Sequence, residues 1–404
     1  MNEHVRHAWE RGLAVLAPTK ADLDHGLELH RRSIVVDAYG FTALTTPSDL
    51  GDQVERAYEA GATSHDLNQL IHCLRANGIV RDEAARREYE DVVRHSGVTC
   101  VVQNAGEGRN VFESLERMSF FTYVCDELSG TVSKAVSADD VEAAKKAGRH
   151  CLMFSLNNPI MDQHWDFWHD EMKWMRTFHR CGVRIMHLTY NRRNRCGDGC
   201  AEPADSGLSE YGNDVVHEFN RLGIIVDVAH CGQQTSYEAA HASRKPIVAS
   251  HSGSRALNDH VRNKTDRVIR AICDSGGYVG VCAIAPFLGR SCDVAALLDH
   301  VDHIARTFGT DHVAIGCDIT YEPPLPDEIG RIRGLLKSKR SFWSHWPPDE
   351  PVIEPGALNE SLTGSLAWSN WPLFTVGLVQ RGYSDDDVRK IIGGNCLRVM
   401  RENF

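Results

Sequence analysis

The sequence predicts a (β/α)8 barrel of the TIM type, with a helical segment before it and an irregular extension after it. Three observations carry that prediction. Eight short apolar runs alternate with helical patterns from about residue 33 to about residue 318, as expected of parallel strands joined by crossover helices. Within that alternation, Ile224–Val228, the helical stretch Gln233–Ser243 and Pro246–Ala249 make a βαβ unit, whose strands must run parallel. Both of these runs stop at a histidine, His230 and His251. Two imidazoles then emerge at the end of the sheet where parallel α/β folds bind ligands. At 404 residues the chain is long enough for one large barrel or for two ordinary domains. No internal repeat or composition shift marks a boundary, so a single domain over 1–404 is expected.

Residues 2–32 read as helical, with leucines and alanines spaced along charged segments. The β-branched run Ser33–Ala38 is the first strand and ends at Tyr39-Gly40-Phe41. A long polar, helical region (Asp66–Ala76, Asp82–His95) precedes the second strand, Val98–Gln103. Helical patterns at Val111–Leu128 and Ala138–Ala147 lead to the third, Cys151–Leu156. Residues 162–181 form a tryptophan-rich amphipathic helix whose aromatic spacing fits core or interface packing. The fourth strand is Val183–Thr189. The loop after it, Tyr190–Tyr211, is rich in Gly, Asn, Asp and Arg and long enough to cover an active site. The helix Asn213–Leu222 precedes the fifth strand, Ile224–Ala229, and the sixth is Pro246–Ser250. The helix Lys264–Ser275, the seventh strand Tyr278–Ala283 and the helix Val294–Phe308 lead to the eighth strand, His312–Cys317, which ends at Asp318. Residues 319–375, with EPPLP and WPPDEP, read as an irregular extension wrapping the barrel mouth, and Ser384–Arg401 as one capped helix packing back.

Composition narrows the function classes. A net charge of −11 argues against a nucleic-acid surface and against an anionic membrane partner. The charged N-terminus has no continuous apolar core for a signal peptide, and no apolar stretch reaches the roughly 18–20 residues of a membrane span. A cytoplasmic location is expected. Thirteen cysteines are scattered without framework spacing, several (Cys100, Cys151, Cys282) inside apolar runs, which fits reduced thiols. Cys196 and Cys200 are one close pair with no second pair beside them, so a plain loop is favoured over a zinc knuckle. Among the 21 histidines, His4, His7, His25 and His30 lie in the polar N-terminal helix and are expected on the surface.

Polar residues at the carboxyl ends of barrel strands are the ones to suspect of chemistry. Collected with their immediate neighbours, they give Asp37, Tyr39 and Phe41, then Gln103 and Asn104, then Leu156, Asn157 and Asn158. Tyr190 and Asn191 follow, and His230, His251 and Asp318 close the set. One such histidine would be read as a strand cap; a matched pair followed by Arg262 in a polar loop points to function. Two neutral imidazoles and a carboxylate suffice for a mononuclear zinc with an open fourth position, which lowers the pKa of bound water. Asp318 is then a third ligand or the base that takes the proton.

The stretches LTYNRRN, GLSEYG, NRLGIIVDVAH, PIVASHSGSRAL, HVRNKTD, GGYVGV, HVAIGCD and IIGGNCLRV resemble the renal (membrane) dipeptidase family. The resemblance runs from about Leu29 to Arg401. It implies zinc peptidases on a (β/α)8 barrel that hydrolyse short peptides, including dipeptides with a D-residue on the C-terminal side. By this resemblance His230 and His251 fall on the two histidines that hold one of two zinc ions. Asp318 falls on an aspartate that binds the other zinc and handles protons, and Arg262 on the arginine that holds the substrate's terminal carboxylate. Tyr39 and Phe41 stand where the family has a histidine and an aspartate on the first zinc. Leu156 stands at the bridging glutamate, with Asn157 and Asn158 beside it, and Tyr190 at a histidine that contacts the substrate carbonyl. Neither phenol, phenyl nor an aliphatic chain replaces those ligands.

The resulting expectation is a dipeptidase-like hydrolase acting on an amide bond in a small, carboxylate-bearing substrate, with one zinc rather than two. Its metal ligands are His230, His251 and Asp318. Asp318 and Tyr190 serve catalysis, and Arg262, Tyr39, Phe41 and Asn157 serve substrate binding. Two alternatives stay open. One is a barrel enzyme of different reaction, on a small amine or ammonium substrate held by aromatic faces. The other is a metal-free protein that binds a carboxylate or a protein partner. The tryptophan-rich segments 162–176 and 343–371 are candidates for a homodimer surface, with core packing as the default.

Overall fold

Nine short strands, all parallel, build one sheet in the computed structural model, which describes residues 1–107, 110–159, 168–289, 291–335 and 363–404. They are β1 (Val36–Gly40), β2 (Cys100–Asn104), β3 (Val132–Lys134), β4 (His150–Leu156), β5 (Val183–His187), β6 (Ile225–Asp227), β7 (Val248–Ser252), β8 (Tyr278–Val281) and β9 (Val313–Ile315). The order is β1-β2-β4-β5-β6-β7-β8-β9, with β3 paired to the first half of β4. The eight strands of that order correspond to the eight predicted runs. β3 is an addition: three residues are too few to show a period. Cys317 N–H donates to Asp37 Oδ1 (2.8 Å) and Asp318 N–H to the Tyr39 carbonyl (2.9 Å), so the segment after β9 is tied back to β1. The result is a nearly closed (β/α)8 barrel.

Alternation along the strands divides their residues between two buried layers. Val36, Cys100, Val102, Cys151, Met153, Ile185, Ile225, Val248, Tyr278 and Ala314 form one cluster drawn from all eight barrel strands, which is the lumen. Leu397, Val399 and Met400 of the C-terminal helix Asn395–Asn403 close it. The opposite faces of the strands (Val101, Leu152, Phe154, Met186, Val226, Val279, Val313) pack against the surrounding helices.

Several boundaries shift for local reasons. β1 starts at Val36 because Ser33 is still the C-cap of the helix Lys20–Arg32. β7 continues to Ser252, so His251 sits inside its strand. His30 overturns a surface expectation: it is 3% exposed, with Nδ1 2.7 Å from Thr375 Oγ1 and Nε2 2.8 Å from the Ser96 carbonyl. The helix Lys20–Arg32 is covered on that side by the helix Trp371–Gln380. The described parts of the extension after β9, 319–335 and 363–375, contain helices that the sequence reading did not assign. Helix Asp327–Leu335 buries Ile329 and Ile332 against Leu50, Val54, Leu67, Ile71 and Leu74. Trp368 and Trp371 are fully buried in the chain's own core, Trp368 Nε1 donating to Asp37 Oδ2 at 3.1 Å. The WPPDEP stretch and the other residues of 336–362 lie outside the described residues, as do 162–167 of the tryptophan-rich segment. The described part of that segment is the helix Trp168–Arg180, which buries Met172, Met175 and Phe178. The single helix predicted over Ser384–Arg401 is interrupted at Gly393, where a Cβ would stand 2.3 Å from the Ile34 carbonyl oxygen.

Candidate active site

The C-terminal ends of β5, β6 and β7 bring three imidazoles together. His230 follows β6 and His251 lies in β7, and their Nε2 atoms are 2.9 Å apart. His187 ends β5, sharing the inward face of Ile185 two residues earlier. One ring nitrogen of each histidine lies within 4.8 Å of the others. Burial holds His230 and His251 well below the usual imidazole range, and the adjacent Arg262 guanidinium pushes the same way. Both are therefore neutral, the form that binds a metal.

The structure brings most of the sequence-predicted residues into contact with this pair. Asp318 Oδ2 is 4.0 Å from His251 Nε2. Its backbone is left-handed (φ 55°), an uncommon conformation for a residue with a side chain, at the point where the chain leaves β9. Burial raises its carboxyl to about 6, against the opposing pull of Arg262 and His187. Tyr190 stacks on His230 at 4.2 Å, and Tyr39 stacks on His251 at 3.9 Å. Burial lifts both phenols above their ordinary range, so they stay protonated and can donate. The Tyr39 hydroxyl donates to Asn157 Oδ1, and Phe41 meets Tyr39 edge-on at 6.3 Å. One face of Tyr39 is thus taken by His251, which leaves less aromatic surface for a ligand than the sequence suggested.

Arg262 is fully buried. Its Nη1 and Nη2 donate to the His251 carbonyl (3.3 and 3.1 Å), and Nη2 lies 3.2 Å from His230 Nε2. Its plane sits over Phe287 at 5.2 Å. Lys264 props the loop after His230 from below, donating to the Cys231 carbonyl at 2.6 Å. Cys196 and Cys200 form no disulfide, nor do the other cysteines, and Cys200 Sγ contacts Asn191 Oδ1 at 3.3 Å.

Four residues outside the predicted set take part. His187 and Asp227 lie at the base of the site; Asn191, seen at a strand end but given no role, accepts from His230 Nδ1 at 2.6 Å. Glu107, held by Asn104 Nδ2 at 2.9 Å, adds negative charge that helps raise Tyr39, Tyr190 and Asp318. Strand parity marks His187 and Asp227 as inward-facing; Glu107 lies in a loop and carries no such signal.

The sequence pattern of the membrane dipeptidase family, peptidase family M19, matches residues 28–336. The chain belongs to this family. It is 30% identical over 233 residues to dipeptidase tcpJ of Claviceps purpurea, covering 56% of this chain and 46% of that one. It is 29% identical over 229 residues to dipeptidase verJ of Clonostachys rogersoniana, covering 56% and 50%. The chain thus spans about half the length of these two relatives. An amidohydrolase from Pseudomonas aeruginosa is similar along nearly its whole length, with a TM-score of 0.67, 26% identity, and 93% and 98% of the two chains covered.

The donor set at the barrel mouth fits a metal ion. His230 and His251 converge and are neutral. At the positions that the resemblance gives to the other metal, Tyr39 and Leu156 are fully buried and packed. A Cβ on Gly106 would come within 1.9 Å of Leu156 Cδ2, so the loop after β2 rests on that side chain. Among the described residues, no helix is long and apolar enough to cross a membrane.

Proposed function

We propose that this protein is a single-zinc hydrolase that cleaves the amide bond of a dipeptide-like substrate with a free carboxylate. The observation that carries this reading is the convergence of His230 Nε2 and His251 Nε2, 2.9 Å apart at the ligand-binding end of the barrel, with Asp318 4.0 Å away. His230 and His251 would hold the ion, with Asp318 at its edge. A zinc ion there supplies Lewis acidity and makes a water molecule acidic near neutral pH.

The chain's own groups divide the remaining work. Asp318, with its carboxyl raised to about 6, accepts the water's proton and returns it to the leaving amine. The Tyr190 hydroxyl donates to the oxygen on which negative charge develops. Arg262 binds the substrate carboxylate through Nε, which makes no hydrogen bond among the described residues, and through the Nη2 N–H that metal binding at His230 would release. Tyr39, pinned by Asn157, and Phe41 wall the side opposite, and narrow the pocket to small substrates. The free thiols of all thirteen cysteines support a cytoplasmic setting.

Metal analysis of purified protein, beside His230→Ala, tests the reading together with a dipeptide panel. About one equivalent of zinc, lost in His230→Ala, and turnover of dipeptides with free carboxyl termini are expected. Absence of bound metal under any loading condition would sink it.

A further inference from the structure

The family-derived ligand set uses two of the three histidines at the barrel mouth. We infer that His187 is the third nitrogen ligand of the same ion, making a three-histidine, single-metal centre. This rests on the reading that a metal occupies the His230/His251 pair.

The three ring centroids stand 4.9, 5.2 and 5.3 Å apart, a nearly equilateral triangle. Each ring is anchored through Nδ1: His187 on the Leu156 carbonyl (3.1 Å), His230 on Asn191 Oδ1 (2.6 Å) and His251 on Ser250 Oγ (2.8 Å). Metal-bound histidines hold their second nitrogen in this way, on a carbonyl, carboxylate or similar partner. A backbone carbonyl only accepts, so His187 Nδ1 donates to it, which leaves Nε2 as the ring nitrogen available to a metal.

That Nε2 is wholly buried and makes no hydrogen bond among the described residues. Asp227 Oδ2 faces it 3.1 Å away and makes no hydrogen bond with any other group among the described residues. A buried carboxylate is costly without a compensating positive charge, and a cation at His187 Nε2 would stand beside it. Leu156, at the position of the family's bridging glutamate, pairs across to Met186, next to His187 on β5. The donor missing from β4 is thus supplied one strand over. Three protein nitrogens and an open fourth position are the usual arrangement of a catalytic zinc.

The test is titration of metal-free protein with Co2+, followed by visible absorption, with zinc affinity from competition against a chromophoric chelator. His187→Asn is expected to weaken both ions by at least about 100-fold and to change the Co2+ bands. Asp227→Asn, which retains His187 Nε2, is expected to keep the bands and to weaken affinity by about 10- to 100-fold. Parental affinity and bands in His187→Asn would overturn the inference while leaving the two-histidine reading intact. Should His187→Asn fail to fold, X-ray absorption at the zinc edge of the parent protein decides: three imidazoles support the inference and two overturn it. A parent protein that binds neither ion overturns both readings.

Discussion

The phenol ring of Tyr39 lies flat against the imidazole of His251, their planes 14° from parallel and their centroids 3.9 Å apart. Because the hydroxyl also ends on Asn157, the ring fixes His251 from one side, and on the proposed single-metal reading it fills the space of a second ion. Exchanging that packing for ligands should reopen the second position. The triple variant Tyr39→His, Phe41→Asp, Leu156→Glu is expected to bind about two metal equivalents by elemental analysis, against about one in the parent. Tyr39→Ala alone should bind no more metal than the parent. It should lower stability by about 3 kcal/mol, the scale of a buried aromatic truncation. A triple variant that still holds one equivalent would show that Tyr39 and Leu156 do not occupy a metal position.

Arg262 donates to His230 Nε2, the atom that a metal would use. A single lone pair cannot serve both, so metal occupancy releases that part of the guanidinium. Arg262→Lys should therefore bind metal at least as tightly as the parent, which separates its effect on substrate from loss of the ion. On dipeptides with a free carboxylate its KM should rise by roughly 10- to 150-fold, the equivalent of about 1.5–3 kcal/mol for a charge-assisted hydrogen bond. On the corresponding C-terminal amides KM should hardly change. Equal KM increases on both substrate types would remove Arg262 from carboxylate binding.

The barrel and the His230/His251 pair were legible in the sequence because each strand is a short apolar run and each histidine interrupts one. His187 was not, since it sits between Met186 and Leu188 and reads as part of a strand; only its parity with Ile185 marks it as inward-facing. Glu107 reaches the site from a loop, where no period orders the residues. His30 was misread because its cover, Thr375, is 345 residues away along the chain, and a helix read alone cannot show what packs on it. Asp318 was legible as a residue at a strand end, but not its left-handed backbone. Local pattern specified the strands and their polar ends; contacts between distant segments decided the rest.

His30 makes stability depend on pH. Burial holds its imidazole at about 4 in the folded protein, against about 6.5 in an unfolded chain. Between these values the unfolded chain binds more protons, so stability rises with pH. The contribution is complete above about 6.5 and is lost as pH falls through about 4, with a ceiling on the order of 3 kcal/mol. His30→Gln should flatten the dependence of the urea midpoint between pH 7 and 4.5, whatever it does to stability at pH 7. An unchanged slope would mean that His30 is already free to ionise in the folded state.

Gly280 in β8 lies so close to β7 that a Cβ would stand 1.9 Å from the Ser250 carbonyl oxygen and 2.8 Å from its carbon. Both are backbone atoms, which cannot swing aside as a side chain can. Gly280→Ala must therefore push β7 outward at Ser250, the residue whose hydroxyl meets His251 Nδ1 at 2.8 Å. A loss of about 1–3 kcal/mol is expected from overpacking, read from the urea midpoint, together with weaker metal binding as His251 shifts. Gly330, in the helix Asp327–Leu335, is the matched control: nothing lies within 4 Å of its added Cβ. Gly330→Ala should leave metal affinity unchanged and stabilise by about 0.5–1 kcal/mol through helix propensity. If Gly280→Ala bound metal as tightly as Gly330→Ala, the position of His251 would not depend on the close contact between β7 and β8.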